Sequence, residues 1–503
     1  MQGLQATAVT IEVNATRGVR FVLVGLPDNA VKESHERILA AIENSGFTFP
    51  TRQITINLSP ADIRKEGSGY DLPMAIGILA TEDKVNTSQL GKYMMVGELS
   101  LDGSLVPIRG ALPVAIKARE MGFEGLFVPE GNIREAAVVN KLKVYGVKHI
   151  TQVVNHLNGT ALLEPTVVDT RGEFYARQYE FDYDFADVKG QEHVKRAMEV
   201  AAAGGHNIIM IGPPGSGKSM LAKRMPSILP PLSLQESLET TQIHSVAGTL
   251  PAGCSLMAQR PYRSPHHTIS QVALVGGGTN PQPGEISLAH NGILFLDELP
   301  EFQRSVLEVL RQPLEDRVIN VSRAKYSVTF PCSFMFVASM NPCPCGYYNH
   351  PTKACCCTPG QIVRYLNKIS GPLLDRIDLQ IELSPVPFSD LSKMEPGEPS
   401  EKIRERVIRA RKIQEERFKD FALIHSNAQM TEKMLGQYCV LDSQTTEVLR
   451  EAMIRLNLSA RAYSRILKVA RTIADLEGKE NIEFAHVAEA VGYRTLDRSS
   501  WGE

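Results

Sequence analysis

A chain of 503 residues is too long for a single core, so two to four domains are expected. Its 43% hydrophobic and 22% charged residues exclude a disordered chain, and no apolar run approaches the ~20 residues of a membrane helix. A net charge of −2 excludes a polycation, which leaves any nucleic-acid surface as a local patch.

The start, "MQGLQATAVTIEV", lacks the basic-then-apolar order of a secretory signal, so a cytoplasmic location without membrane partners is the expectation. Residues 1–160 alternate strand patterns ("VRFVLVGL", "QITINLSP", "GLFVPE") with helix patterns ("AVKESHERILAAIENSG", "ALPVAIKAREMG"), which predicts an α/β domain. Within it, residues 61–79, "ADIRKEGSGYDLPMAIGIL", and 96–132, "VGELSLDGSLVPIRGALPVAIKAREMGFEGLFVPEGN", resemble Lon-type protease domains. That resemblance implies a serine–lysine dyad, but the serine position falls on Gly69 and the lysine position on Leu112. Ser68 is one residue away and Lys117 more than a helical turn beyond, so an inactive domain is expected, with a collar or assembly role.

Residues 161–186 read as a linker that docks on another element, and 187–385 as a second α/β domain. There "NIIMIGPPGSGKSMLAK" runs an apolar strand into Gly212, Pro213, Pro214, Gly215, Ser216, Gly217, Lys218 and Ser219, and then a helix. This is a phosphate-binding loop in strand–loop–helix context: glycines let backbone N–H groups approach phosphates, Lys218 reaches the β and γ phosphates, and Ser219 ligates Mg2+. Further on, "GILFLDELPEF" ends a strand in Asp297, suited to Mg2+, and Glu298, suited to polarising the attacking water. "FMFVASMN" ends in Asn341, placed to sense the γ phosphate. "ISGPLLDRIDLQIEL" carries Arg376, an arginine that could reach a neighbouring subunit's phosphate, and a later helix carries Arg461 with Arg465 on the same face.

In this order the residues of 187–503 resemble an AAA+ ATPase of the magnesium-chelatase/helicase branch. The resemblance implies a ring, with Lys218, Asp297, Glu298, Asn341, Arg376 and Arg461 as Walker A lysine, Walker B pair, sensor 1, arginine finger and sensor 2. Asp297 follows Lys218 by 79 residues, more than a strand–helix–strand unit needs. The branch carries pore-facing inserts at such places. Here that implies DNA contacts from Arg260, Arg263, His266 and His267, and from Arg317, Arg323 and Lys325 on a second hairpin. Residues 386–503 read as a helical lid domain.

Five of the eight cysteines crowd the insert 341–359. With Cys356 as the spare, Cys343, Cys345, Cys355 and Cys357 form C-x-C…C-x-C, the donor set of a closed structural zinc site. His350 is the alternative ligand, and free reduced thiols are the bland reading. Cys254, Cys332 and Cys439 read as scattered structural residues.

A silent Lon-like domain, a chelatase-type AAA+ module and a Cys-rich insert together resemble the ComM/YifB family, across essentially the whole chain. Membership implies a cytoplasmic homo-hexamer using ATP and Mg2+, with DNA (single-stranded, forked or branched) and recombination proteins as partners. It also implies helicase and branch-migration activity in natural transformation. The rivals are a chelatase-like motor acting on a protein, an ATP-dependent protease, and a non-hydrolysing nucleotide switch.

Overall fold

The structure, a computed structural model, describes residues 3–251, 253–278, 281–323, 326–385, 396–421, 424–456 and 458–494. The chain folds into two compact units, Met1–Ala176 with Leu234–Met257, and Arg177–Ser233 with Ala258–Glu503.

In the first unit, strict alternation makes the strands half-buried. β1 (Thr10–Thr16) points Ile11, Val13 and Ala15 inward and Thr10, Glu12, Asn14 and Thr16 to water. It pairs antiparallel with β3 (Gln53–Ser59), whose Ile54, Ile56 and Leu58 are buried, and β2 (Phe21–Val24) pairs parallel with β3 on its other side. The short β5 (Glu98–Leu99) and β6 (Leu105–Val106) form a hairpin pairing, and β4 (Tyr93–Met95), β7 (Gly125–Pro129) and β8 (Lys143–Val147) form a parallel sheet. Helices Asn29–Asn44, Asp71–Ala80, Ala111–Glu120 and Ile150–Asn158 cover these sheets.

Neither position that would carry a protease dyad holds its serine or lysine, and the nearest such residues are engaged elsewhere. Leu112 is fully buried among Ala115, Leu126, Val128 and Val144. Ser68 donates to Glu98, whereas Lys117 pairs with Glu120 at 3.1 Å on an exposed helix face.

The expected division of the chain meets one difference. Residues 234–257, read as part of the ATPase domain, cluster with the first unit, as do residues 161–176 of the expected linker. Helix Leu234–Ala247 accounts for this: Gly110 N donates to Ser245 O at 3.0 Å, Ser245 Oγ to Glu135 at 2.5 Å, and Gln242 to Leu4 O at 2.7 Å. Leu238 also packs on the cluster around Leu112. The remainder of the linker docks in the second unit, where Phe185 is buried and its N–H donates to Ser400 Oγ at 2.8 Å.

The second unit is built on a five-stranded parallel sheet ordered β10 (Tyr262–Arg263), β13 (Ile293–Leu296), β16 (Met335–Met340), β9 (Ile208–Ile211), β17 (Leu379–Glu382). The central strands β9, β13 and β16 are buried throughout, the continuous apolar pattern of a sheet covered on both faces. Minor pairs are β11 (Gly276–Gly277) with β12 (Gln282–Pro283), and the hairpin β14 (Val318–Arg323) with β15 (Tyr326–Pro331). The carboxyl-terminal part is helical, and its helix Ala460–Leu476 buries Ile466, Leu467, Val469, Ala470, Ile473 and Ala474. The expected boundary at residue 386 falls outside the described residues.

Asp378 joins that helix to the sheet. Its carboxylate is 2.9 Å from Arg465 and 3.3 Å from the His206 ring, and it accepts the Asn207 N–H at 3.1 Å. Burial works against the anion, yet Arg465, His206 and Lys468 hold the carboxyl well below the usual carboxylate range. Asp378→Ala leaves Arg465 without its partner, and a loss of about 3–5 kcal/mol is expected in urea unfolding. Because the folded pKa is depressed, this contribution is complete above the unfolded value of about 3.9 and fades as pH falls through the folded one. An unchanged midpoint would dissolve the assignment.

Candidate active site

Parallel strands in register deliver their carboxyl ends to one edge. Ile211 of β9 lies opposite Met340 of β16, and Leu296 of β13 opposite Ala338, so Gly212, Asn341 and Asp297 emerge side by side. Such an edge is where open α/β sheets bind ligands.

The loop from Gly212 to Gly217 is shaped by close approach and left-handed backbone. A Cβ on Gly212 would stand 2.8 Å from Leu383 O and 2.9 Å from Ser216 Oγ. Gly215 and Gly217 sit at φ +78° and +90°, and Gly217 precedes helix Lys218–Arg224.

Lys218 Nζ donates to Gly212 O at 2.6 Å, Pro213 O at 2.9 Å and Asn341 Oδ1 at 3.2 Å. Burial pushes this ammonium down from its ordinary value, against the pull of Asp297 and Glu298. Ser219 Oγ donates to Asp297 Oδ2 at 2.6 Å, so hydroxyl and carboxylate already face each other. Ser339 Oγ and the Glu298 N–H, the latter at 3.0 Å, both donate to Asp297 Oδ1 and fix its plane.

The residues fit a nucleoside triphosphate with Mg2+. The loop holds a buried ammonium hydrogen-bonded to neutral oxygens, and a buried Ser216 Oγ without a partner among the described residues. Gln191 reaches in, donating to Ser216 O at 2.8 Å, while its side-chain oxygen is buried and unpaired among the described residues. These are donors and acceptors that phosphate oxygens and a nucleotide would satisfy.

Glu298 sits at φ +53°, a left-handed position that a non-glycine residue holds only when its surroundings over-determine it. Its carboxylate lies 3.7 Å from His267 Nδ1, and the His267 ring is 4.0 Å from that of His266. The sequence reading gave His267 to DNA, whereas the fold sets it beside the glutamate expected to polarise water. His266 is exposed, with Nδ1 3.0 Å from Thr268 Oγ1.

Two other expected DNA contacts are committed inside the fold. Arg260 donates to Pro230 O (2.7 Å), Asn291 O (2.7 Å) and Pro231 O (3.2 Å), tying three loops. Arg263 makes a bidentate pair with Glu285, both contacts 2.6 Å. Both side chains are therefore anchored within the fold by neighbouring acceptors, although Arg263 keeps Nη1 outside its pair with Glu285. Arg317 donates to Ser333 at 3.2 Å, and burial brings it down to about 10. Arg323 ends β14, its side chain outside the description, and Lys325 lies outside the described residues.

Arg376 donates to Pro372 O at 2.6 Å and to Glu315, with Nε buried and unpaired among the described residues. Arg461 is exposed and donates to Asp375 at 2.5 Å. Among the described residues, no hydrogen bond or ion pair joins either arginine to Lys218, Ser219 or Asp297.

Cys343, Cys345, Cys355 and Cys357 converge, with their sulfurs all within 4.8 Å of one another. Sγ separations of 3.3, 3.7 and 3.5 Å among the first three compare with about 3.8 Å for thiolates around tetrahedral zinc. Burial works against the Cys345 thiolate, but the amides of Tyr347 and Cys356 and the neighbouring thiols bring it down to about 6. Cys356 is exposed, and His350 Nδ1 is occupied by the N–H groups of Thr352 (3.2 Å) and Lys353 (3.0 Å). Four convergent sulfurs with N–H···S support from Tyr348 at 3.3 Å fit a closed zinc centre.

Sequence reasoning missed Ser339, Gln191, Tyr365 and the His267–Glu298 proximity. Only Ser339, two residues before Asn341 on the same strand face, had a period-2 signal that could have found it.

Comparison with known proteins is consistent across the chain. Residues 184–391 match the family described as "Magnesium chelatase, subunit ChlI", 11–132 that described as "Subunit ChlI of Mg-chelatase", and 397–494 "Magnesium chelatase, subunit ChlI C-terminal". Competence protein ComM of Haemophilus influenzae is 44% identical over 99% of this chain and 96% of its own length. The YifB protein of Salmonella typhimurium has the same identity and coverage. Lon protease 2 of Bacillus subtilis is 31% identical over 28% of this chain and 27% of its own.

Proposed function

The chain belongs to the ComM/YifB family of magnesium-chelatase-like AAA+ proteins, and from that premise we propose that it is an ATP-driven DNA motor. It works as a ring of six copies that unwinds and branch-migrates DNA to integrate incoming strands during natural transformation. The observation that carries this reading is the full-length likeness to a competence protein, combined with a complete phosphate-loop site.

In this reading Lys218 and the Gly212–Gly217 amides bind the phosphates, Ser219 and Asp297 hold Mg2+, Asn341 orients the γ phosphate, and Glu298 takes the proton of the attacking water. Bound Mg2+ would neutralise charge developing on the phosphate oxygens. Arg376 of one copy completes its neighbour's site, and Arg461 moves with the lid. The DNA surface then rests on His266, Arg323 and Lys325 rather than on Arg260 and Arg263. The amino-terminal unit serves assembly.

A second reading has a specific observation behind it. The family descriptions name a chelatase subunit, and two expected DNA arginines are spent on internal contacts, as a motor acting on a protein partner would permit. Hydrolysis by the purified protein without DNA, with single strands and with forked duplex separates the two. At least a severalfold rise with forked or single-stranded DNA is expected, and a rate indifferent to DNA would favour the protein-directed motor.

A further inference from the structure

The cysteine loop is not an isolated knuckle. It runs on from Asn341, and its turn at Gly346 (φ +83°) presses on the phosphate loop: a Cβ there would stand 2.6 Å from Pro214 Cδ and 3.9 Å from Asn341 Cγ. The Gly346 N–H donates to Cys343 O at 3.0 Å, so the turn against Pro214 is closed by the main chain of the first sulfur ligand. On the far side, Cys357 leads into helix Pro359–Leu366, whose buried Tyr365 brings its hydroxyl near the Asn341 backbone. Asn341 in turn accepts from Lys218 at 3.2 Å. Both ends of the loop therefore bear on the residues that meet the phosphates.

We propose that the four-cysteine centre sets nucleotide affinity. A thiophilic divalent cation held by Cys343, Cys345, Cys355 and Cys357 fastens the Gly346 turn against Pro214 and keeps Asn341 at Lys218. Pro214 then keeps its backing and the amides of the phosphate loop stay aimed. Without the cation, a loop that has no apolar core of its own loosens, and the phosphate loop loses one wall. Linkage makes the effect reciprocal: whatever factor the cation adds to nucleotide binding, the nucleotide adds to cation retention.

The inference rests on the nucleotide-site part of the reading above and not on the DNA part, so binding is measured without DNA. Full-length protein is assayed for zinc, then titrated with a fluorescent ATP analogue in Mg2+, before and after a zinc-selective chelator that spares Mg2+. Affinity is expected to fall about tenfold on zinc removal, and a non-hydrolysable ATP analogue to lower zinc transfer to the chelator by the same factor. Gly346→Ala keeps all four cysteines. It should retain zinc while binding nucleotide more weakly, whereas Gly360→Ala, with open space around it, should change neither. The proposal falls if the protein takes up no zinc. It falls equally if zinc-free protein or zinc-loaded Gly346→Ala binds nucleotide as the parent does, or if zinc release ignores the nucleotide. Should the parent bind nucleotide in any of these cases, the ATPase reading stands and only the coupling is lost.

Discussion

Glu298→Gln is expected to bind ATP as the parent protein does and to hydrolyse it about 10²–10⁴ times more slowly, the range a positioned general base contributes. Among the described residues no hydrogen bond joins Glu298 to the phosphate loop, whereas Lys218 and Ser219 are held by Gly212 O, Pro213 O and Asp297. Gln keeps the size of the side chain and removes only its capacity to take a proton. Steady-state turnover beside nucleotide titration reads the two effects separately. Full turnover by the variant would move water activation to another group.

Arg376→Ala should likewise bind nucleotide, and lose about 10³ in rate if its guanidinium completes a neighbour's site. Within one chain Arg376 is held by Pro372 O and Glu315, and among the described residues no hydrogen bond or ion pair joins it to Lys218, Ser219 or Asp297. Mixing two inactive proteins makes the test sharper. In a mixed ring, a Lys218→Ala copy still offers its arginine to the intact phosphate loop of an Arg376→Ala copy, so activity should return. Wild-type turnover by Arg376→Ala alone, or no recovery on mixing, would remove the finger role.

The sequence carried the site unevenly. The phosphate loop, the Asp297–Glu298 strand end and the four cysteines were legible because each is a local pattern. In each, the residues are neighbours along the chain, and the strand or turn that presents them is encoded in the same few positions. His267 beside Glu298 was not legible, since 31 residues separate them and only the β10–β13 pairing brings their loops together. Arg260 and Arg263 looked free for the same reason: their acceptors, Pro230, Asn291 and Glu285, lie 22 to 31 residues away.

By itself the sequence determined a mixed α/β chain with a helical end, a phosphate loop in working context, a protease-like unit without its dyad, and a thiol cluster of metal-binding spacing. These follow from period, turn chemistry and residue type, which act over a few residues. Only the tertiary structure decided that helix Leu234–Ala247 belongs to the first unit, that Arg461 bonds Asp375, and that the cysteine turn rests on Pro214. Those outcomes depend on which of several chemically adequate partners lies within about 3 Å once the cores have packed, and the order of residues along a chain does not specify that distance.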